Sequence, residues 1–286
     1  MFFVLLLYLF MILFLLLFFS KISQPRTVPV ESFYPPTMPL VQGTSYRGTI
    51  PLLFHQTLPR REMHETMFQH LLQHNRAKAP EFSFHFYDDG EMENVIENNF
   101  GPRVILAYRR INPKYGACRS DLARYCILYV FGGIYLDIKS EVRKSPLPLL
   151  EKVTSVHTLI GGHWKHASYH AETLGNTRGE IMNWVMASTP RHPLLLQLIM
   201  DITSRIESGD NGVGKQFVLE LTGPIALSRV ALSHRNKSEV IVTDDIHKYF
   251  KYNSERCKNE DCRSLFYKTL RVKAYDEYKT DRVILS

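Results

Sequence analysis

Three charged side chains fall close together in the sequence, on either side of a Gly-Gly pair. Asp121 and Arg124 lie in Arg119-Ser-Asp-Leu-Ala-Arg-Tyr125, and Asp137 follows in Gly132-Gly-Ile-Tyr-Leu-Asp-Ile-Lys-Ser140. On a helix, a spacing of three residues puts Asp121 and Arg124 on one face. A carboxylate just past Gly-Gly could then grip a polar ligand from the other side. The same residues could equally form an ordinary surface ion pair and a strand-end Asp capping a turn, because such pairs are common and individually weak.

The elements that must position these groups can be read from the flanking pattern. Ala117 to Phe131 carries Leu122, Tyr125, Cys126, Tyr129 and Val130 on one stripe, which predicts an amphipathic helix. Gly132-Gly133 ends it, as glycine commonly does. Ile134 to Ile138 then predicts a short buried strand with Asp137 at its end. Upstream, Ile50 to His55 predicts a buried strand, Arg61 to Ala79 a helix closed by Pro80, and Phe82 to Tyr87 a second strand. Asp88-Asp89-Gly90 predicts a turn, and Glu91 to Phe100 another helix. Strands alternating with helices imply an α/β fold with a mostly parallel sheet. Ligands in such folds sit beyond the carboxyl ends of strands, where Asp137 is expected.

The chain has 286 residues and a formal charge of +7. Its basic residues are scattered, with local runs no longer than pairs such as Arg60-Arg61 and Arg109-Arg110. Nucleic-acid binders gather charge into a stripe, so that class is set aside. A basic surface suits an anionic small substrate such as a sugar diphosphate. Cys257 and Cys262 flank a polar segment where a short disulfide loop is plausible, while Cys118 and Cys126 read as buried thiols.

Asp121, Arg124, Tyr125, Gly132, Gly133, Tyr135 and Asp137 occur here in the order of a known motif. The segment resembles glycosyltransferase family 32, the sugar-binding DXD group that contains the yeast-type α-1,6-mannosyltransferases. Ile50-Pro51 with Phe54-His55-Gln56-Thr57 looks like that family's opening strand, and Thr222-Gly223-Pro224 like its Thr-Gly-Pro turn. Asn183 to Ala187, leading to His192-Pro193, looks like its later helix. The resemblance implies a GT-A-like nucleotide-sugar-binding fold and transfer of a hexose, mannose favoured, with retention of configuration. The acceptor implied is a glycan or glycolipid. It also implies donor contacts from His55, Asp121, Arg124, Gly133, Tyr135 and Asp137, and a divalent cation, Mn²⁺ or Mg²⁺, at Asp137.

Two positions depart from the family's pattern. Lys139 replaces the second acid of the motif, and Leu58 replaces a Trp after His55-Gln56-Thr57. A carboxylate is a hard oxygen ligand for Mn²⁺ or Mg²⁺, whereas an ammonium repels them. Either Asp137 binds the ion with other ligands, Glu141 being a candidate, or Lys139 itself meets the diphosphate as a catalytic cation. A catalytically inactive sugar- or nucleotide-binding protein is the alternative that Lys139 keeps open. Gly161 to His166, with two histidines three apart and no carboxylate partner, reads as a rim loop.

Residues 2–19 are unbroken in hydrophobicity, long enough as a helix to rise about 27 Å and cross a bilayer. No basic residue precedes the run and no small-residue cleavage site follows it, so an uncleaved anchor over residues 1–20 is expected. Residues 21–48 read as a Pro/Ser/Thr-rich stem, and 49–286 as the GT-A-like domain. Lys21 and Arg26 alone would keep the bulk of the chain cytoplasmic. The Asn236-Lys237-Ser238 sequon, the cysteine pair and the family resemblance favour a type II protein in the Golgi lumen.

Overall fold

Leu53–Thr57 forms β1, buried at all five positions. A strand between parallel neighbours in a sheet covered on both faces shows a continuous run rather than an alternation. That explains the unbroken apolar start of this segment. The computed structural model describes residues 49–60, 68–153, 155–234, 236, 239–254, 262–270 and 280–285. The expected membrane anchor and stem lie outside them. Among the described residues, no helix is long and apolar enough to cross a membrane.

After β1 come α1 (Gln69–Lys78), β2 (Ser83–Tyr87), α2 (Asp89–Asn99), α3 (Pro102–Arg110), α4 (Gly116–Phe131) and β3 (Gly133–Leu136). The expected turn at Asp88 is the start of α2. Asp88 accepts the Glu91 amide at 2.9 Å and Glu91 Oε2 accepts the Asp88 amide at 3.0 Å, a reciprocal capping box. The chain continues through β4 (Glu141–Val142), β5 (Leu159–Gly161), β6 (Val185–Ser188), α5 (Pro193–Glu207), α6 (Gly214–Leu221), α7 (Pro224–Ser233), β7 (Val240–Val242), β8 (Phe250–Lys251) and α8 (Cys262–Leu270). Single-turn helices span Leu147–Leu150, Ala171–Leu174 and Ile246–Tyr249.

The main sheet has the order β2-β1-β3-β6-β5-β7, and β4 pairs separately with β8. The pairings β1–β2, β1–β3 and β5–β7 are parallel, and β6 runs antiparallel to both β3 and β5. The fold is therefore α/β with a mostly parallel sheet, as expected, reversed locally at β6. Asn183 to Ala187, expected as part of a helix, instead leads into this strand. Four consecutive buried residues, Val185 to Ser188, are backbone-paired on both sides, and the helix waits for Pro193 at its first turn.

Alternate strand residues feed two apolar clusters, one on each sheet face. Tyr135, Met186 and Leu159 join Leu122, Tyr108 and Leu198 on one side. Ile134, Ala187 and Ile160 join Phe54, Trp184 and Phe250 on the other. Helix α4 departs from the expected stripe, because residues Asp121 through Leu128 are all buried. Its polar face is enclosed as fully as its apolar one.

Candidate active site

Gly132 and Gly133 make the turn between α4 and β3. Gly133 has φ +86°, and a Cβ there would lie 2.7 Å from the Leu53 carbonyl oxygen. Only glycine lets β3 close onto β1 at this point. The donor contact expected of Gly133 is thus accompanied by a packing role. The turn sets Tyr135 and Asp137 under the enclosed face of α4.

Arg124 joins that face to the strand end. Its guanidinium lies 2.9 Å from Asp121 and 3.4 Å from Asp137, over the Tyr135 ring at 4.4 Å from the centroid, and donates to the Asn183 carbonyl at 2.6 Å. Only 6% of the Arg124 side chain and 9% of Asp121 is exposed, against 17% for Asp137. An ion pair this enclosed survives only if its remaining hydrogen-bonding capacity is filled. Asn183 Nδ2 and Thr222 Oγ1 fill it, donating to Asp121 at 3.0 and 3.3 Å. Burial pushes the Asp121 carboxyl up to about 7, against the opposing pull of Arg124.

Tyr135 orients the more open carboxylate. Its hydroxyl donates to Asp137 Oδ1 at 3.2 Å and meets Thr57 Oγ1 at 2.9 Å. Thr57 in turn contacts Ser120 Oγ at 2.5 Å. Asp121, Arg124, Tyr135 and Asp137 therefore form one connected group at the carboxyl end of β3. Asp137 is its partly open member and so can accept a ligand's hydroxyls.

His55 is engaged within the protein instead. Its Nε2 is 2.9 Å from the Gly132 carbonyl and its Nδ1 is 3.0 Å from the Tyr87 hydroxyl. The carbonyl requires a proton on Nε2, so Nδ1 accepts from Tyr87. Burial lowers the imidazole pKa to about 3. With both nitrogens occupied and the ring buried, His55 braces the Gly132 turn behind the group. Its expected donor contact is not among those the structure brings together.

Lys139 turns towards α8, with Nζ 5.0 Å from the Phe266 ring centroid and 5.8 Å from that of Tyr267. Burial lowers its pKa, while the nearby Asp137 charge opposes that shift. Glu141, considered as a partner ligand for a cation, is held elsewhere. Its Oε2 accepts from Ser254 Oγ at 2.9 Å and its Oε1 lies 3.5 Å from His74 Nε2. Among the described residues no cluster of three or more His, Cys, Asp or Glu side chains could hold a metal ion. One carboxylate beside an arginine and a lysine is a poor donor set for Mn²⁺ or Mg²⁺, each of which takes several oxygen ligands. The described residues do not fit the two-acid cation site that the motif implies.

Asn183, Thr222, Thr57 and Ser120 complete the site without having been assigned a role from the sequence. Asn183 and Thr222 stood in the recognised flanking pieces, which was the available signal. Tyr252, whose hydroxyl is pushed up to about 12 chiefly by burial and then by the Asp137 charge, lies beyond any recognised piece. The expected rim loop does come near, since Trp164 packs 5.4 Å from Tyr252.

Residues 61–156 match the family described as glycosyltransferase sugar-binding region containing DXD motif. An uncharacterized glycosyltransferase of Acanthamoeba polyphaga mimivirus is 28% identical over 130 residues, 46% of each chain. The initiation-specific alpha-1,6-mannosyltransferase of Schizosaccharomyces pombe is 25% identical over 202 residues, 63% of this chain and 47% of that one. Inositol phosphoceramide mannosyltransferase 3 of the same yeast is 26% identical over 160 residues, 54% of this chain and 38% of that one. The chain spans about half the length of the curated relatives it matches, or less. Among solved structures, the ligand-free glycosyltransferase domain of the YGT toxin is 9% identical, with a TM-score of 0.49 over 79% of this chain and 87% of that one. Residues 61–156, which include Asp121, Arg124, Tyr135 and Asp137, are thus similar to a glycosyltransferase sugar-binding region containing a DXD motif, with lysine in place of the second acid.

Proposed function

We propose that this chain is a GT-A-type glycosyltransferase that moves a hexose, mannose favoured, from a nucleotide diphosphate sugar to a hydroxyl of a glycan or glycolipid. The observation that carries this reading is the enclosed Arg124 bridge between Asp121 and Asp137, inside the matched region and at the carboxyl end of β3. Asp137 accepts the donor's hydroxyls. Arg124 faces the charge that grows on the departing diphosphate, where preformed cations lower the barrier most, and Lys139 reaches it by swinging its flexible stem away from the Phe266 and Tyr267 rings. Tyr135 and Asn183 hold the charged groups in place. Among the described side chains we assign no nucleophile, which suits a retaining transfer in which the leaving group and acceptor share one face of the sugar.

The mannosyl preference follows the two yeast relatives. The placement we propose is that of a type II membrane protein with its catalytic domain in the Golgi lumen. Disulfide-bonded Cys262 and the solvent-exposed Asn236 agree with an oxidising lumen.

The full chain should release nucleotide from one member of a panel of GDP- and UDP-sugars. Asp137→Ala should abolish that release while donor binding weakens. Donor binding without turnover by the wild type, with or without Mn²⁺, would instead establish the inactive binding protein that Lys139 makes a serious second reading.

A further inference from the structure

Both tryptophans of the chain belong to one aromatic cluster beside Asp137. The Asp137 amide donates to the Trp184 carbonyl at 2.8 Å. From the buried Trp184 ring, centroids step to Tyr252 at 5.3 Å, then to Trp164 at 5.4 Å, then to Tyr169 at 5.7 Å. Exposure rises along the series, from 4% at Trp184, through half-buried Tyr252 and Trp164, to 53% at Tyr169. The rings thus lead from beside Asp137 towards solvent.

The shelf is held rigid from behind. Trp164 Nε1 donates to Glu180 Oε1 at 2.9 Å, and His170 Nδ1 meets Glu180 Oε2 at 2.6 Å. Glu180 is itself 5% exposed, so the loop is pinned from inside. Fixed aromatic faces bind with little loss of side-chain freedom. Around them the surface is polar, with Lys165, His166 and Ser168 exposed. An acyl chain would need continuous apolar surface. A pyranose ring presents a C–H face to stack on an aromatic ring, and hydroxyls at its edge for the polar fringe.

We infer that Tyr252, Trp164 and Tyr169 form the subsite for the acceptor, and that its occupant is a saccharide rather than a lipid tail. The inference rests on the transferase reading only in naming that saccharide the acceptor.

Tryptophan fluorescence of the full chain in lipid nanodiscs tests it directly. Mannobiose, lactose and cellobiose serve as saccharide probes, and octanol as the apolar probe. At least one disaccharide should give a saturable change. Its midpoint should weaken about tenfold in Trp164→Ala, the loss expected for one aromatic anchor, and stay within about threefold in Trp164→Phe. Tyr169→Ala, at an exposed position where folding is not at stake, should weaken the same titration. Absence of any disaccharide response, an undiminished response in both alanine variants, or a response to octanol alone overturns the assignment. If the wild type turns over no donor while the disaccharide titration behaves as described, the transferase reading falls and the saccharide shelf stands.

Discussion

Lys139 occupies the position where the motif calls for a second carboxylate, and its consequence can be measured. A departing diphosphate brings two to three negative charges, roughly, into a site where water screens poorly. On the proposed reading, one ammonium would meet part of that charge without any ion. Lys139→Ala should lower turnover about tenfold or more, the order seen on losing one electrostatic stabiliser. Lys139→Asp should introduce a strong Mn²⁺ requirement, measured by titrating the metal back after chelation. Full activity in Lys139→Ala, together with wild-type silencing by a chelator, would assign the diphosphate to a metal ion instead. His55 makes a separate prediction. Its pKa is about 3 in the folded chain against 6.5 when unfolded, so between these values the unfolded state binds the extra proton. Stability from this group is complete above pH 6.5 and falls as pH drops towards 3. Urea midpoints should therefore decline from pH 7 to pH 4.5, and His55→Gln should start lower but decline less steeply. An equal slope in the variant would remove His55 as the cause.

Helix α4 and strand β3 were the most legible elements, because their residues are contiguous and Gly132-Gly133 separates two different periodicities. Even so, the sequence suggested that α4 had one open polar face. Burial of Asp121 and Arg124 depends on Asn183 and Thr222, which arrive from 59 or more positions away. No local pattern announces such partners. The helix that the resemblance implies around Asn183 to Ala187 begins instead at Pro193, because Val185 to Ser188 are paired between β3 and β5, neighbours that no local pattern announces. The Gly-Gly turn yields the test at this scale. Gly133→Ala places a methyl against the Leu53 carbonyl at a left-handed φ, which should cost about 2–4 kcal/mol. Gly101→Ala, whose added carbon would meet nothing within 4 Å, serves as the control. Thermal melts of the two variants should separate clearly, and coincident melts would deny the turn its packing role.

At the scale of the molecule, scattered charge argues against a nucleic-acid partner and motif spacing points to Asp137, but the far wall of the candidate site is hidden from the sequence. Tyr252 and α8 come from a stretch with no recognised pattern, and only tertiary folding brings Tyr252 towards Asp137 and α8 against Lys139. The proposed lumenal placement is tested at this scale too. Asn236 is exposed in the folded domain. If that domain is lumenal, glycosidase should shift the mobility of the wild type and leave Asn236→Gln unaltered. An unshifted wild type that is also cleaved by protease outside sealed microsomes would put the domain in the cytosol.

The antiparallel strand β6 has a consequence for how the protein reaches its working state. It closes the gap between β3 and β5, and the residue two places before it supplies the carbonyl that receives Arg124. Until Asn183, 59 residues further on, has been brought in and β6 has docked, that guanidinium has no complete set of partners, and a charge so placed resists burial. Loop closure over that distance is entropically costly, and long-range strand pairing is correspondingly slow. Assembly of the catalytic group should therefore coincide with the last committed step of refolding. Activity should return in a single late phase, after most helical signal has already recovered.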